Sequence, residues 1–253
     1  MKVLGIIPAR AGSMGVPGKN VRELCGREVI CYTIDAALGA RRLTGVAVTT
    51  DDPKVMEICQ RAEYADKVLL VERPGEMATA TARIDDVMRH CVKAWEAGTG
   101  ETPDAVALLY ANVPVRANYI IDRTIEKLIT TKADSVQTMA SVGKFHPYWL
   151  YQLDGDRASK YIDNQVYRRQ ELPALYTIDG AVGVVRTAAL MAAAGSTDPH
   201  AFWGSDRRGL VQEAYETVDI DSMRDFYVAQ AALREREDST RRHEEHEDKE
   251  VRE

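Results

Sequence analysis

The sequence predicts an α/β protein with a mostly parallel sheet and helices on both faces. Short runs rich in β-branched residues alternate with helical patterns from the first strand to about residue 142. Such a βαβα series places parallel strands side by side and joins them by crossover helices. The chain has 253 residues, which suffices for one large domain or one domain with a subdomain.

The predicted elements follow one another in regular order. The first strand, "KVLGII", opens directly into a polar loop, and the second helix begins with Pro53, a residue that is favoured at the first helical position. The predicted strands cover residues 2–7, 45–51, 67–71, 105–111 and 135–142, and the predicted helices cover residues 29–41, 53–62, 82–95 and 119–129.

The alternation stops over residues 143–177, which are rich in aromatic and charged residues and have no clear period. A structureless loop of that length is uncommon inside a compact domain. We expect an extended arm or β-excursion that covers the site or a partner subunit, and hence a homodimer. The strand "AVGVV" and a helix over residues 223–237 complete a domain that spans residues 1–233.

Composition excludes several classes of protein. The 33 Lys and Arg against 39 Asp and Glu give a net charge of −6, so no general attraction to nucleic acid or to an anionic membrane is expected. No signal region and no run of eighteen apolar residues occurs, and the four cysteines show no metal spacing. These features predict a cytoplasmic protein. Residues 234–253 are highly charged and are expected to be disordered or a frayed helix end.

The stretch "IPARAGSMGVPGKN" at residues 7–20 follows the first strand. Glycine-rich turns at that position let backbone N–H groups bind phosphate. The glycine spacing fails both the dinucleotide fingerprint and the Walker P-loop. What remains is a turn between Arg10 and Lys19, which suits a polyphosphate. An exposed turn with incidental cations fits the residues equally well.

Asp219 and Asp221 are alternate residues at the end of a candidate strand, which would project both side chains to one face. Two convergent carboxylates repel each other unless a cation joins them, and Mg²⁺ with phosphate oxygens is the natural partner. The alternative is a strand end followed by a helix N-cap at Asp221 or Ser222. From these residues alone the capping alternative is favoured.

Several stretches of the sequence resemble segments of one known family. "IPARAGSMGVPGKN" is similar to the signature of the cytidylyltransferases that activate sialic acids and related nonulosonic and ulosonic acids. "VTTDD", "ERPGEMATATA", "LLYANVPVR", "YRRQELPALYTIDGAV" and "VDIDSMRDF" match further family segments in the same order. The resemblance covers residues 1–232 and implies a three-layer, Rossmann-like fold of the nucleotide-diphospho-sugar transferase type, with the arm as a dimerisation element.

The resemblance implies that the chain transfers CMP from CTP to a sugar acid with release of pyrophosphate, with Mg²⁺ as cofactor. Arg10, Lys19 and Asp221 become the catalytic candidates, and Asp219 and Asp221 the metal ligands. The nucleotide site is expected to contain Pro8, Ala9, Arg10, Gly12, Ser13, Lys19, Asn20, Arg73, Tyr110 and Asn112. The sugar acid is expected to contact Arg169, Gln170, Tyr176 and Asp179, with Arg169 holding its carboxylate and Arg168 as the alternative.

The departures from the family pattern affect base and sugar recognition. Tyr110 replaces a glutamine that reads the cytosine edge, Asp179 replaces an asparagine, and Ile84 replaces a hydroxyl residue. Two rival functions therefore remain. The first is a nucleotidyltransferase that uses another NTP and a sugar phosphate, and the second is a non-catalytic nucleotide-binding protein. Retention of both Asp219 and Asp221 argues against the second rival.

Overall fold

The computed structural model describes residues 1–12 and 15–250, with side chains described as far as Ser239. Its strands are β1 (Val3–Pro8), β2 (Glu23–Leu24), β3 (Arg27–Glu28), β4 (Gly45–Thr50), β5 (Val68–Glu72), β6 (Ala105–Leu108), β7 (Ser135–Ser141), β8 (Tyr151–Asp154), β9 (Arg157–Lys160), β10 (Tyr176–Arg186) and β11 (Arg207–Val211). Its α-helices are α1 (Val29–Gly39), α2 (Pro53–Cys59), α3 (Ile84–Thr99), α4 (Ile120–Thr131), α5 (Thr187–Ala192) and α6 (Met223–Glu250).

A seven-stranded sheet with the order β11-β7-β10-β6-β1-β4-β5 forms the centre of the protein. Every neighbouring pair is parallel except the two pairs made by β10, which runs antiparallel to β6 and β7. One apolar cluster packs α1, α2 and α4 on one face, and a second packs α3 and α5 on the other. The prediction of a mostly parallel sheet with helices on both faces is confirmed.

The sequence patterns missed four elements, β2, β3, β11 and α5, and misassigned one further segment. Edge strand β11 and short helix α5 carried no clear period, since β11 is largely exposed and α5 has only 6 residues. The segment before α6 is not a strand: Val218 makes one isolated bridge to Val115, and the N–H of Ile220 donates instead to the carbonyl of Asn112. Its backbone groups bond to loops because no strand lies beside it.

Between β7 and β10 the chain leaves the main sheet. It forms a separate two-stranded hairpin from β8 and β9, in which all eight strand residues are exposed. Large apolar side chains on this arm also face outward, with Leu153 72% and Tyr167 89% exposed. The strand expected at residues 181–185 begins five residues earlier, at Tyr176, and its pairing with β7 shifts register between Ile178 and Gly183.

Helix α6 continues through the charged segment as far as Glu250. The expectation of disorder or a frayed helix end for residues 234–253 stays a prediction, and residues 251–253 lie outside the described part of the chain. Glu, Arg and Lys are good helix formers even without an apolar face, which accounts for the continuation. No helix within residues 1–12 and 15–250 combines the length and the apolar character needed to cross a membrane.

Arg116 joins three segments beneath the carboxyl end of the sheet. It is only 6% exposed, and its guanidinium donates to the carbonyls of Ala181 at 2.9 Å, Tyr110 at 2.8 Å and Val113, and to the Thr33 hydroxyl at 2.8 Å. Burial lowers the pKa of Arg116 to about 9, and Asp219 acts in the opposite direction. The side chain therefore stabilises the loop of residues 110–113.

Replacing this guanidinium tests its structural role. We expect Arg116→Met to lower the free energy of unfolding by roughly 3 kcal/mol, because one or two buried acceptors lose their donors. The measurement is urea unfolding followed by circular dichroism. The control is Arg123→Met on the exposed side of α4, which should change the free energy by less than about 0.5 kcal/mol; equal effects of the two substitutions would contradict the bridging role.

Candidate active site

A cleft lies beyond the carboxyl ends of β1, β4, β5 and β6, which is where open α/β sheets bind their ligands. It contains a first cavity of about 330 Å³. Eight residues predicted from the sequence line this cavity: Pro8, Arg10, Lys19, Asn20, Arg73, Tyr110, Asn112 and Asp221. The structure therefore brings together most of the nucleotide and catalytic candidates.

The turn after β1 is held in place by its neighbours. The N–H of Ala11 donates to Asp51 at 2.8 Å, and the Asn20 amide donates to the carbonyl of Arg10 at 3.3 Å. Gly12 has φ of +74°, a left-handed conformation that favours glycine. Ala9 is buried behind the turn, hydrogen-bonded to β4, and does not line the cavity. Ser13 lies outside the described residues.

Lys19 connects this turn to the segment before α6. Its ammonium group donates to the carbonyl of Ile220 at 2.9 Å and to the Asp221 carboxylate at 3.0 Å. Gly15 approaches the same segment so closely that a Cβ placed there would overlap the carbonyl oxygen of Asp221. The two ends of the predicted site thus share one cleft.

Arg73 supplies a buried cation to the cavity wall. It is 6% exposed and donates to the carbonyl of Thr49 at 3.0 Å. Burial lowers its pKa, with Asp51 acting in the opposite direction. Within the described part of the chain Arg73 forms no ion pair, and buried charges are normally paired. The cavity is therefore suited to an anionic ligand that completes this pairing.

Asp219 and Asp221 form an acidic pair opposite these cations. Burial raises the pKa of Asp219 to about 6, and repulsion from Asp221 adds to the rise while Lys19 opposes it. The amide of Asn112 donates to Asp219 and, at 3.2 Å, to the carbonyl of Ile220, so Asn112 orients this carboxylate. The described residues hold no group of three or more His, Cys, Asp or Glu that would bind a metal without a ligand's help.

The pair nevertheless fits a divalent cation that is shared with phosphate. Mg²⁺ is typically held by one or two protein carboxylates together with substrate phosphate oxygens. The helix α6 is capped by Ser222 and Asp225 and not by the side chain of Asp221. The Asp225 carboxylate accepts a hydrogen bond from the N–H of Ser222 at 2.8 Å, and the N–H of Asp225 donates to the Ser222 hydroxyl at 3.4 Å. The Asp221 carboxylate, whose side chain is 76% exposed, remains directed at Lys19.

A second cavity of about 310 Å³ adjoins the first, and Tyr110 and Ile84 line both. Its walls are mostly apolar, with Phe202 and Trp203 on one side. The sequence reasoning missed this cavity. The aromatic pair in "HAFWG" was the available signal, but it stands in a region without clear periodicity.

Four candidates for sugar-acid contact lie outside both cavities. Arg169 and Gln170 are exposed on the arm, and Tyr176 is 49% exposed at the start of β10. Asp179 accepts hydrogen bonds from the hydroxyl of Thr138 at 2.5 Å and from the amide of Gln212 at 2.6 Å. A single chain therefore does not bring these side chains to the cleft.

Residues 4–192 match the family described as cytidylyltransferase. The chain belongs to this family. It is 31% identical over 186 residues to an N-acylneuraminate cytidylyltransferase of Streptococcus agalactiae serotype V, a match that covers 72% of this chain and 43% of that protein. The chain thus spans less than half the length of its streptococcal relatives.

Other relatives match over nearly their whole length. A CMP-N,N'-diacetyllegionaminic acid synthase of Legionella pneumophila is 23% identical, with 92% of this chain and 97% of that protein covered. Among solved structures, CMP:2-keto-3-deoxy-manno-octonic acid synthetase complexed with CTP superposes with a TM-score of 0.68 at 18% identity, over 93% of this chain and all of that one. The structural likeness establishes the shared nucleotidyltransferase fold.

The contact between Gly15 and Asp221 gives a test of the cleft. We expect Gly15→Ala to weaken binding of a nucleoside triphosphate by about tenfold or more, because the added methyl group displaces the Asp221 backbone. Isothermal titration calorimetry measures the affinity. Gly75→Ala is the matched control, since nothing lies within 4 Å of a Cβ at that position; equal affinities of the two variants would show that the close approach is unimportant.

Proposed function

We propose that this cytidylyltransferase transfers CMP from CTP to a sugar acid and releases pyrophosphate. The observation that carries the proposal is one cavity lined by Arg10, Lys19, Arg73 and Asp221, with the Asp219 carboxylate held against the lining residue Asn112. A nucleotide triphosphate needs cations along its phosphates, and a reacting α-phosphate needs charge neutralisation. The relatives named above support CTP as the nucleotide and a nonulosonic or ulosonic acid as the acceptor.

The reaction is an in-line displacement. The anomeric hydroxyl of the sugar acid attacks the α-phosphorus, its oxygen forms the new P–O bond, the bond to the pyrophosphate oxygen breaks, and the hydroxyl proton passes to solvent water. Arg10 and the Gly12 turn bind the triphosphate, and Lys19 neutralises charge at the reacting end. Arg73 completes its ion pairing with the nucleotide, and Asn20 holds the turn in shape through the carbonyl of Arg10.

Asp219 and Asp221 would hold Mg²⁺ in this site. The metal would neutralise the phosphate charge that develops as pyrophosphate leaves. Asn112 keeps the Asp219 carboxylate in position through its amide, and Lys19 holds that of Asp221. We assign the sugar acid to the second cavity, because Tyr110 and Ile84 line both cavities.

We further propose a cytoplasmic homodimer formed through the arm of residues 143–177. The exposed apolar side chains of this arm are unusual for a free surface. Pairing of two arms would cover them and would carry Arg169, Gln170 and Tyr176 toward the cleft of the partner. There the guanidinium of Arg169 would meet the acceptor, while Asp179 would stabilise the base of the arm.

The proposal is tested by pyrophosphate release with each of the four NTPs, with and without Mg²⁺. The acceptor panel contains N-acetylneuraminic, pseudaminic, legionaminic and 2-keto-3-deoxy-manno-octonic acids, and sugar phosphates. We expect release only with CTP, a sugar acid and Mg²⁺. Release with another NTP and a sugar phosphate would favour the first rival function, and no release under any condition would favour the binding-protein rival.

The same assay tests the carboxylate pair. We expect Asp221→Asn to lower turnover by roughly 100-fold or more, because several kcal/mol of charge stabilisation are lost, while the melting temperature stays within a few degrees. Asp66→Asn, which removes an exposed carboxylate outside the cleft, should leave turnover unchanged. Normal turnover of the Asp221 variant would refute the assignment of this residue.

The arm proposal predicts a change of oligomeric state. We expect Leu153→Asp to convert a dimer into a monomer in sedimentation velocity, because a charge would be buried at the centre of the apolar contact. Asp156→Asn, in the turn of the same hairpin, is the control and should leave the dimer intact. A wild-type protein that sediments as a monomer at micromolar concentration would rule the arm contact out.

A further inference from the structure

Tyr110 occupies the junction of the two cavities. Among the described residues that line the first cavity, only Tyr110 and Ile84 also line the second. The backbone of Tyr110 is fixed, because its carbonyl accepts hydrogen bonds from Arg116 at 2.8 Å and from Thr33 at 3.3 Å. The phenol ring is therefore held where a nucleotide in one cavity meets an acceptor in the other.

The hydroxyl of Tyr110 is uncommitted. Within the part of the chain that the structure describes, it makes no hydrogen bond with protein. Burial raises the pKa of Tyr110, and the charge of Asp219 adds to the rise, so the phenol keeps its proton at neutral pH. A neutral O–H group at this junction is available as a donor to a ligand.

The chemistry of the proposed acceptor places a carboxylate at the same point. In a 2-keto sugar acid the carboxylate and the anomeric hydroxyl are attached to one carbon atom. When that hydroxyl reaches the α-phosphorus, the carboxylate lies beside it, close to the acidic pair of Asp219 and Asp221. It needs a hydrogen-bond donor that offsets this repulsion.

Of the cationic donors near the junction, two are committed and a third is remote. Arg83 is bound to Asp85 at 3.0 Å and to the carbonyl of Ser196 at 2.8 Å, and Lys19 is bound to Asp221. Arg169 is exposed on the arm. Gln137 and His200 line the second cavity alone.

We propose that the hydroxyl of Tyr110 donates a hydrogen bond to the carboxylate of the sugar acid and so selects acceptors that carry a carboxylate beside the anomeric hydroxyl. The inference rests on the proposed function and deepens it. It also means that Tyr110, which the sequence analysis expected in the nucleotide site, binds the acceptor instead.

The test compares Tyr110→Phe with wild-type protein. We expect the KM for the sugar acid that wild type uses to rise about tenfold or more, as is typical for loss of a hydrogen bond to a charged group. The KM for CTP should change by less than about twofold. Tyr215→Phe, which alters a tyrosine that is 77% exposed and outside both cavities, should change neither value.

A second variant and a second ligand separate hydrogen bonding from ring packing. Tyr110→Gln restores a donor and should recover part of the acceptor affinity. The methyl ester of the sugar acid has no carboxylate charge, and Tyr110→Phe should weaken its binding by less than about twofold. Isothermal titration calorimetry in the presence of CDP measures these affinities without turnover. If Tyr110→Phe does not fold, the wild-type protein provides the test, and it should bind the acid about tenfold or more tighter than the ester.

Three outcomes would overturn the inference. They are a rise in the KM for CTP alone, equal losses for the acid and its ester, and no binding of any acid of the panel to the CDP complex. Failure of the proposed function has a different signature: wild type would bind these ligands yet release no pyrophosphate with any nucleotide.

Discussion

The contact of Lys19 with Ile220 and Asp221 joins two segments that are about 200 residues apart in the chain. One segment is the glycine-rich turn that follows the central strand, and the other precedes the last helix. The ammonium group satisfies a backbone carbonyl and a carboxylate at once, and Gly15 lets the backbones approach. This contact holds the glycine-rich turn and the segment of Asp221 against each other at one cleft.

The charged side chains in and beside the cleft differ in burial and in pairing. Arg73 and Arg116 are both buried without a carboxylate partner in the described residues, but Arg116 satisfies its donors with carbonyls and a hydroxyl, whereas Arg73 faces the cavity. Asp219 is partly buried and Asp221 is exposed. The protein thus stores an electrostatic imbalance that a polyanion with its metal would relieve.

The periodicity of apolar residues along the chain predicted the regular strands and helices of the fold. The parallel strands up to β7 and their crossover helices follow directly from alternating apolar runs, and the first turn was recognisable from its glycines and cations. The segment around Asp219 was misassigned as a strand because alternating residues look the same whether or not a neighbouring strand exists. The second cavity, with Phe202 and Trp203, depends on which loops meet over the sheet, and spacing along the chain does not encode that.

The long separation between the halves of the cleft also bears on the order in which the molecule acquires its parts during translation. The strands that flank β1 emerge from the ribosome soon after it, so the centre of the sheet has its neighbours early. The contact of Lys19 with Asp221 forms only after residue 221 has been synthesised and has left the ribosomal exit tunnel. A nascent chain can therefore hold a folded sheet while its cleft is still incomplete, and closure of the cleft is a late step of biosynthesis.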